Sequence, residues 1–421
     1  MFYLNDLGLI CALGDTHAAI RQRLFAGQSG VVMTDRYSSS GAVPVGCVDS
    51  ALPQMESGVY PLAHRSRNNQ LLLAALKQIR PAVDAAIGLY GPHRIAIVLG
   101  TSTSGIAESE AAFQFAYGRA TNGRSANGRA ANGRAANEQA IDQDRIDKKF
   151  PASFTYSQQE MGSAAAMLAE VLGVTGPAYV HSSACASSAK AMASAARLIQ
   201  MGLSDVVLTG GVDSLCAFTI AGFSALASVS KTRCTPFSAN RDGINIGEGA
   251  ALFLMSAKPA TVALRGWGES SDGYHISAPD PEGGGARIAI AQALRRANVD
   301  ATQIDYINLH GTATQQNDAM ESRVVHDLFG DRVAASSTKA YTGHALGAAG
   351  AIEAGLCWLA MQDDNRTGYL PPHLWDGVKD SNLPALNLLP EGYRLGRPLR
   401  WALSNSFAFG GANAALVMGR E

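Results

Sequence analysis

Short apolar runs alternate along this chain with longer stretches whose apolar positions recur every three to four residues, the pattern of strands handing over to helices. Residues 2–13 read as a strand closed by the turn Ala12-Leu13-Gly14, and 16–26 as a helix stopped by Gly27. Residues 30–60 carry no period, and Ser38-Ser39-Ser40-Gly41 has the composition of a loop. An amphipathic helix is predicted over 69–89. Pro81 lies inside it without the N–H that a helix interior uses, so a kink or a division in two is expected. A buried strand spans 94–100. Beyond it the pattern predicts helix over 154–172, a short strand at 176–180, helix over 184–201, and strands at 205–211 and 250–255. A second series begins near residue 261: helix 285–297, strand 304–309, helix 317–329, strand 333–336, helix 346–361, and a closing β pair at 400–407 and 412–418.

Two turns in these series are built alike. Ser182-Ser183-Ala184-Cys185 follows a strand and opens a helix. Ser336-Ser337-Thr338-Lys339 also follows a strand, and Gly343-His344 opens the next helix. A strand, a reactive turn and a helix, occurring twice, predict a duplicated α/β unit whose turns meet at one site. The expected halves are 1–258, carrying the cysteine, and 259–421, carrying both histidines.

Residues 118–137 stand apart as four tandem pentads of the type Gly-Arg-Ala-Ala-Asn. The period is too short for a solenoid unit. Glycine and asparagine at fixed spacing break helix, and arginines without acidic partners suggest a solvated, mobile, low-complexity insertion.

At the first turn, unpaired N–H groups of a helix start favour negative charge, so Cys185 is expected as a thiolate, a good nucleophile toward thioesters. Taken by itself a free cysteine is more often a small buried residue. Composition narrows the classes. The chain is 421 residues long, 47% hydrophobic, with formal net charge −1, which suits a large core and argues against general nucleic-acid binding. The six cysteines are scattered with no CxxC pair, as in a reducing cytoplasm, and point to neither a disulfide framework nor a zinc site. No secretory signal or membrane-spanning run is seen in the sequence.

Like Cys185, the clusters His310-Gly311-Thr312-Ala313-Thr314 and Lys339 with Gly343-His344 stand at strand ends; Arg241-Asp242-Gly243 with Gly247-Glu248-Gly249 leads into a strand, and Asn405-Ser-Phe407-Ala-Phe409-Gly410-Gly411 is a glycine-rich loop between strands. In this order, and with Ser183-Ala184-Cys185-Ala186-Ser187, they resemble the β-ketoacyl-acyl-carrier-protein synthases, condensing enzymes of the thiolase superfamily. The resemblance covers nearly the whole chain and departs at Ala408, where the family usually has glycine. It implies a thiolase-like fold, a duplicated αβαβα layered core with mixed five-stranded sheets. It implies Cys185 as acyl-accepting nucleophile and His310 and His344 as donors to the enolate formed when malonyl thioester loses CO2. Lys339 would hold the site's electrostatics with Glu321 as its partner. The N–H groups of Cys185 and Phe409 would form the oxyanion hole, the Phe409 ring a gate, and Thr312 and Thr314 the grip on pantetheine. No organic cofactor or catalytic metal is expected. Asn308, Glu353 and Asn405 match positions that can surround a structural monovalent cation.

The same resemblance implies partners. An acidic acyl carrier protein calls for a basic dock, with Arg65, Arg67, Lys231 and Arg233 as candidates. A homodimer, or a heterodimer with a chain-length factor, is expected through the strand at 205–211. Thiolases use a second cysteine in the condensing half, where this chain has none at a strand end, and chain-length factors lack the nucleophile. The alternative reading is a non-catalytic chain-length-factor-like subunit. Ala186-Ser187-Ser188-Ala189-Lys190 and Gly211-Val-Asp213-Ser214-Leu215-Cys216 look more like the condensing enzymes of bacterial aryl-polyene clusters than those of general fatty acid synthesis.

Overall fold

The computed structural model describes residues 1–38, 41–122 and 150–421. Among the described residues, eleven strands form one sheet in the order Asn387–Leu388, Ala334–Ser336, Tyr306–Asn308, Trp401–Phe407, Ala412–Arg420, Val262–Ser271, Phe2–Cys11, Gly249–Ser256, Val206–Asp213, Ile95–Gly100, Ala178–His181. Behind that order lies a repeat. Phe2–Cys11, Ile95–Gly100, Ala178–His181, Val206–Asp213 and Gly249–Ser256 are arranged third-second-fourth-fifth-first by chain order, with two parallel pairings followed by two antiparallel ones. Val262–Ser271, Tyr306–Asn308, Ala334–Ser336, Trp401–Phe407 and Ala412–Arg420 repeat the arrangement with the same directions. A short pairing of Phe2 and Tyr3 with Leu264 and Ala263 joins the two.

Helices Ser187–Gln200 and Ala349–Ala360 fill the layer between the halves. Every residue of Ala349–Ala360 is buried, and the facing positions are small. The Ala351 N–H donates to Ser188 Oγ at 2.9 Å, so the two helices meet almost backbone to backbone. Arg67–Tyr90 and Ser163–Leu172 cover the outer face of the first half, and Gly284–Ala297 that of the second. The αβαβα layering expected from the sequence is therefore present.

Several local expectations are corrected. Residues 30–60 are not irregular throughout: Val31–Thr34 pairs with Val43–Gly46, which pairs with Ile246–Gly247. Such short strands, completed from some 200 residues away, leave no period to read. Arg67–Tyr90 is one helix despite Pro81. Pro81 lies on the exposed side, and so does Lys77, whose carbonyl it leaves without a helical partner. The predicted helix 154–172 is a 3-10 turn at Tyr156–Gln158, held by a Thr155/Gln158 capping box, and a helix Ser163–Leu172. The first pentad does not break helix: helix Ile106–Asn122 runs through it, while 123–137 lie outside the described residues. Val206–Asp213 is an interior strand, hydrogen-bonded on both sides, so it has no edge to offer a second chain. The sheet's edges are Asn387–Leu388 and Ala178–His181. No helix among the described residues is long and apolar enough to cross a membrane.

Candidate active site

The cysteine turn is tighter than a helix start. Ala184 takes a left-handed φ of 47°, and the helix begins at Ser187, so Cys185 stands on an elbow before it. Ser187 locks that elbow: its hydroxyl accepts from the Ser183 N–H at 2.8 Å and donates to the Ala184 carbonyl at 2.6 Å. Gly100 lets the elbow sit against the sheet, since a Cβ there would lie 2.2 Å from the Ser188 nitrogen.

From the second half, two loops converge on the sulfur. His310 follows the strand Tyr306–Asn308 by two residues, and its loop is pinned by Glu321, whose carboxylate accepts from the N–H of His310 at 2.8 Å and of Gly311 at 2.7 Å. Asn405 Nδ2 donates to the same carboxylate at 3.2 Å. Glu321 therefore serves the His310 backbone and is not the partner of Lys339, as the sequence had suggested. That partner is Glu353, in a fully buried ion pair, and Lys339 Nζ also donates to the His310 carbonyl at 2.5 Å. Glu353 sits one helical segment downstream of Lys339, and only the packing of Ala349–Ala360 against the loop brings them together.

His344 Nε2 lies 3.0 Å from Cys185 Sγ. The two histidine rings are 5.4 Å apart and nearly perpendicular. Lys339 Nζ is 3.3 Å from His310 Nδ1. An ammonium there keeps Nδ1 as the acceptor, and the ring proton sits on Nε2, facing the cavity. His344 Nδ1 is buried with no partner among the described residues, so the tautomer of this ring rests on the contact of its Nε2 with Cys185 Sγ. Cys185, His310 and His344 could present ligand atoms within 4.8 Å of one another. A proton on His310 Nε2 removes one lone pair from that set, so the trio is better suited to acid–base work than to metal binding.

Burial sets the protonation states. The Cys185 thiol is pushed up to about 12 by desolvation, against a smaller lowering by the Lys339 charge and the Phe409 N–H. This overturns the expectation of a resting thiolate: the helix starts two residues too late to offset burial. Both histidines are held well below their ordinary range by desolvation first and the Lys339 charge second, so both are neutral near neutral pH. A thiol facing a neutral imidazole is the resting pair.

The Phe409 N–H faces Cys185 Sγ, and neither it nor the Cys185 N–H is hydrogen-bonded to a backbone carbonyl among the described residues. Gly410, at φ 79°, turns the chain there. The Phe409 ring packs on Phe223 at 5.5 Å. Around these groups lies a cavity of about 180 Å³ lined by Cys185, His310, His344, Phe409, Thr312 and Thr314. The two threonine hydroxyls are 2.9 Å apart in its wall.

One functional residue escaped sequence reasoning. Asp213, fully buried, accepts from the hydroxyls of Thr101, Ser102 and Thr103 and from the N–H groups of Ser102, Thr103 and Gly347. It ties the sheet of the first half to the loop carrying His344. A Cβ on Gly347 would lie 2.8 Å from its carboxylate. The available signal was a charged residue ending an otherwise apolar strand.

Asn308 Oδ1, Glu353 Oε2 and Asn405 Oδ1 are buried acceptors without partners among the described residues. Oxygen-only donors with one carboxylate fit a hard monovalent cation. Of the docking candidates, Lys231 and Arg233 are exposed. Arg65 is half-buried and donates to the carbonyls of Tyr60 and Ser57. Arg67 is excluded: its guanidinium grips buried Glu248 at 2.8 and 2.5 Å.

Residues 107–260 match the N-terminal domain of the β-ketoacyl synthases, and residues 261–374 their C-terminal domain. The chain belongs to the β-ketoacyl synthase family. These are acyltransferases of the condensing type with a thiolase-like fold. A ketosynthase (ApeO) in complex with its chain length factor (ApeC) from Xenorhabdus doucetiae is 42% identical, covering 100% of this chain and 98% of that one, with a TM-score of 0.86. The 3-oxoacyl-[acyl-carrier-protein] synthase 2 of Rhizobium meliloti (strain 1021) is 39% identical over 264 residues, which are 58% of this chain and 61% of that relative. Nodulation protein E of Rhizobium leguminosarum bv. trifolii is 29% identical over 98% of both chains.

Proposed function

We propose that this chain is a β-ketoacyl-acyl-carrier-protein synthase that holds an acyl group on Cys185 and extends it by decarboxylative Claisen condensation with malonyl-acyl carrier protein. The observation that carries the proposal is His344 Nε2 at 3.0 Å from a buried thiol, with His310 beside it.

In the first half-reaction Cys185 Sγ attacks the thioester carbonyl. Its proton passes to His344 Nε2 and then to the departing pantetheine sulfur. The N–H groups of Cys185 and Phe409 hold the oxyanion. In the second, malonyl thioester enters along Thr312 and Thr314. Its carboxylate carbon leaves as CO2, and the electron pair becomes an enolate. His310 Nε2–H and, in its other tautomer, His344 Nε2–H donate to the enolate oxygen. The enolate carbon attacks the acyl-cysteine, and the cysteine sulfur leaves and regains a proton from solvent. Neutral imidazoles suit this task, since they donate without adding a charge that would hold the malonyl carboxylate in place. Lys339 and Glu353 orient His310. A cation held by Asn308, Glu353 and Asn405 would fix the far side of that pair.

An acyl carrier protein would approach over Lys231 and Arg233, and a second chain of the same fold would add at the free sheet edge. The sequence around Cys185 makes an aryl-primed polyenoyl chain the first acyl group to test, with fatty acyl chains as comparison. Intact-protein mass spectrometry after incubation with acyl-carrier thioesters tests the proposal, wild type beside Cys185→Ala. A mass gain on wild type only is expected. No gain with any donor, with malonyl-carrier protein also left intact, would establish the non-catalytic chain-length-factor-like reading instead.

A further inference from the structure

The segment that joins strand Val206–Asp213 to helix Ala217–Ala225 is anchored by side chains from elsewhere in the first half. The Ser214 N–H donates to Thr103 Oγ1 at 3.1 Å, and the Leu215 N–H to Glu248 Oε2 at 3.1 Å. Cys216 stands at the N-cap of the helix and makes no capping hydrogen bond with its side chain. Glu110, on helix Ile106–Asn122, supplies the missing oxygens. Its Oε2 accepts from the Ala217 N–H at 3.1 Å and its Oε1 from the Phe218 N–H at 2.5 Å. A carboxylate in this place satisfies two orphaned donors and meets the positive end of the helix dipole.

The helix itself grips the core weakly. Of its nine residues only Ile220 is buried, in a small apolar cluster with Leu215, Ile244 and Leu346. Yet its far end is a wall of the cavity. Phe223 and Leu226 line the space that Cys185 and Phe409 also line. The Phe223 ring meets the Phe409 ring at 5.5 Å. On its other side the Phe409 turn is pliant, since Gly410 and Gly411 follow at φ of 79° and 76°.

An oxyanion donor acts only over a separation of about 2.7–3.1 Å from the developing charge. The Phe409 N–H is such a donor in the reaction proposed above, so its ring contact has to hold still. That contact sits at one end of a helix whose other end is fixed by Glu110. We propose that Glu110 is a positioning residue for the condensing site: it seats helix Ala217–Ala225 so that Phe223 holds Phe409, and with it one oxyanion donor, beside Cys185. The inference rests on the reading of Cys185 as the acyl acceptor, and adds to it a residue that does not itself line the cavity.

Single-turnover acylation of Cys185 at saturating acyl-carrier thioester tests it, followed by mass spectrometry. Glu110→Ala should slow acylation by about tenfold and shift the half-saturating donor concentration by less than about twofold. Glu110→Gln, which keeps one acceptor oxygen, should recover part of the rate. Phe223→Ala and the double variant Glu110→Ala/Phe223→Ala should acylate within about twofold of each other, because Glu110 then has no ring to hold. Glu110→Ala at the wild-type rate, or a loss of the same factor with and without the Phe223 ring, overturns the proposal. Hydrogen exchange of wild type and Glu110→Ala gives a readout that needs no turnover. Exchange should quicken by at least about fivefold both in helix Ala217–Ala225 and at the Ala408, Gly410 and Gly411 amides, which are hydrogen-bonded to Ala412, Ile276 and Ala408. Unchanged exchange elsewhere shows that the variant is folded. A change confined to the helix, in a protein whose wild type is acylated, makes Glu110 a local cap and removes its positioning role alone. Faster exchange at both places, in a protein that takes no acyl group from any donor, removes the catalytic reading alone.

Discussion

Replacing Asp213 by asparagine tests whether the knot beneath His344 sets the catalytic geometry. Oδ1 of Asp213 takes the Thr101 and Thr103 hydroxyls and the Ser102 and Thr103 N–H groups, and an asparagine oxygen in that place keeps them. Oδ2 takes the Ser102 hydroxyl and the Gly347 N–H, each at 2.6 Å. An amide NH2 put there can donate to Ser102, whose hydroxyl rotates, but it meets the Gly347 N–H as donor against donor. One buried backbone N–H loses its acceptor and the remaining bonds lose their charge assistance, a cost of about 2–4 kcal/mol. For a chain of this length that is a fall of about 2–5 °C in melting temperature. Gly347 lies three residues beyond His344, so displacement of the loop also lengthens the 3.0 Å contact to Cys185. A shift approaching 1 Å would slow acylation by up to about a hundredfold. Calorimetry gives the first quantity and single-turnover acylation, followed by mass spectrometry, the second. An Asp213→Asn protein that melts with wild type and acylates at the wild-type rate would refute the reasoning.

Four other outcomes follow from the site. With the Cys185 thiol at about 12 and not at its ordinary 9.0, the thiolate fraction at about pH 8 is lower by about a thousandfold; alkylation by iodoacetamide should be slow and still rising beyond about pH 10, and a plateau near neutrality would mean a resting ion pair. The histidines, lowered in the folded state, leave the unfolded chain binding more protons below about 6.5, so their contribution to stability is complete above that pH and is lost on acidification; melting temperature should fall less steeply with acid in His310→Asn, and equal slopes would contradict the shift. Glu353→Gln leaves buried Lys339 without its anion and should cost about 3–5 kcal/mol, seen as a lower denaturant midpoint. Charge reversal at Lys231 and Arg233 should raise KM for acyl-carrier substrates with kcat held and steepen no salt dependence, whereas an unchanged KM would move the dock elsewhere.

The residue types of the site were legible in the sequence because each stands where a local pattern ends. Cys185, His310, Lys339 and His344 all close or follow a strand, and the two strand–turn–helix series announced a duplication that the strand order repeats. Spacing along the chain cannot say which buried groups share a contact. Lys339 pairs with Glu353 and not Glu321 because helix Ala349–Ala360 is pressed into the central layer, while Glu321 faces the N–H groups of its own neighbouring loop. Arg67 looks like any surface arginine until the fold sets Glu248 beside it from 181 residues away. The same holds for protonation: a cysteine near a helix start reads as a thiolate, yet desolvation, a property of the whole surround, makes it a thiol. Which strand is an edge is likewise a property of the assembled sheet, since Val206–Asp213 and Ala178–His181 are both apolar strands flanking the nucleophile helix. Local sequence determined the chemistry available to this protein; burial and long-range pairing, which no local pattern encodes, decided how its groups are charged, partnered and exposed.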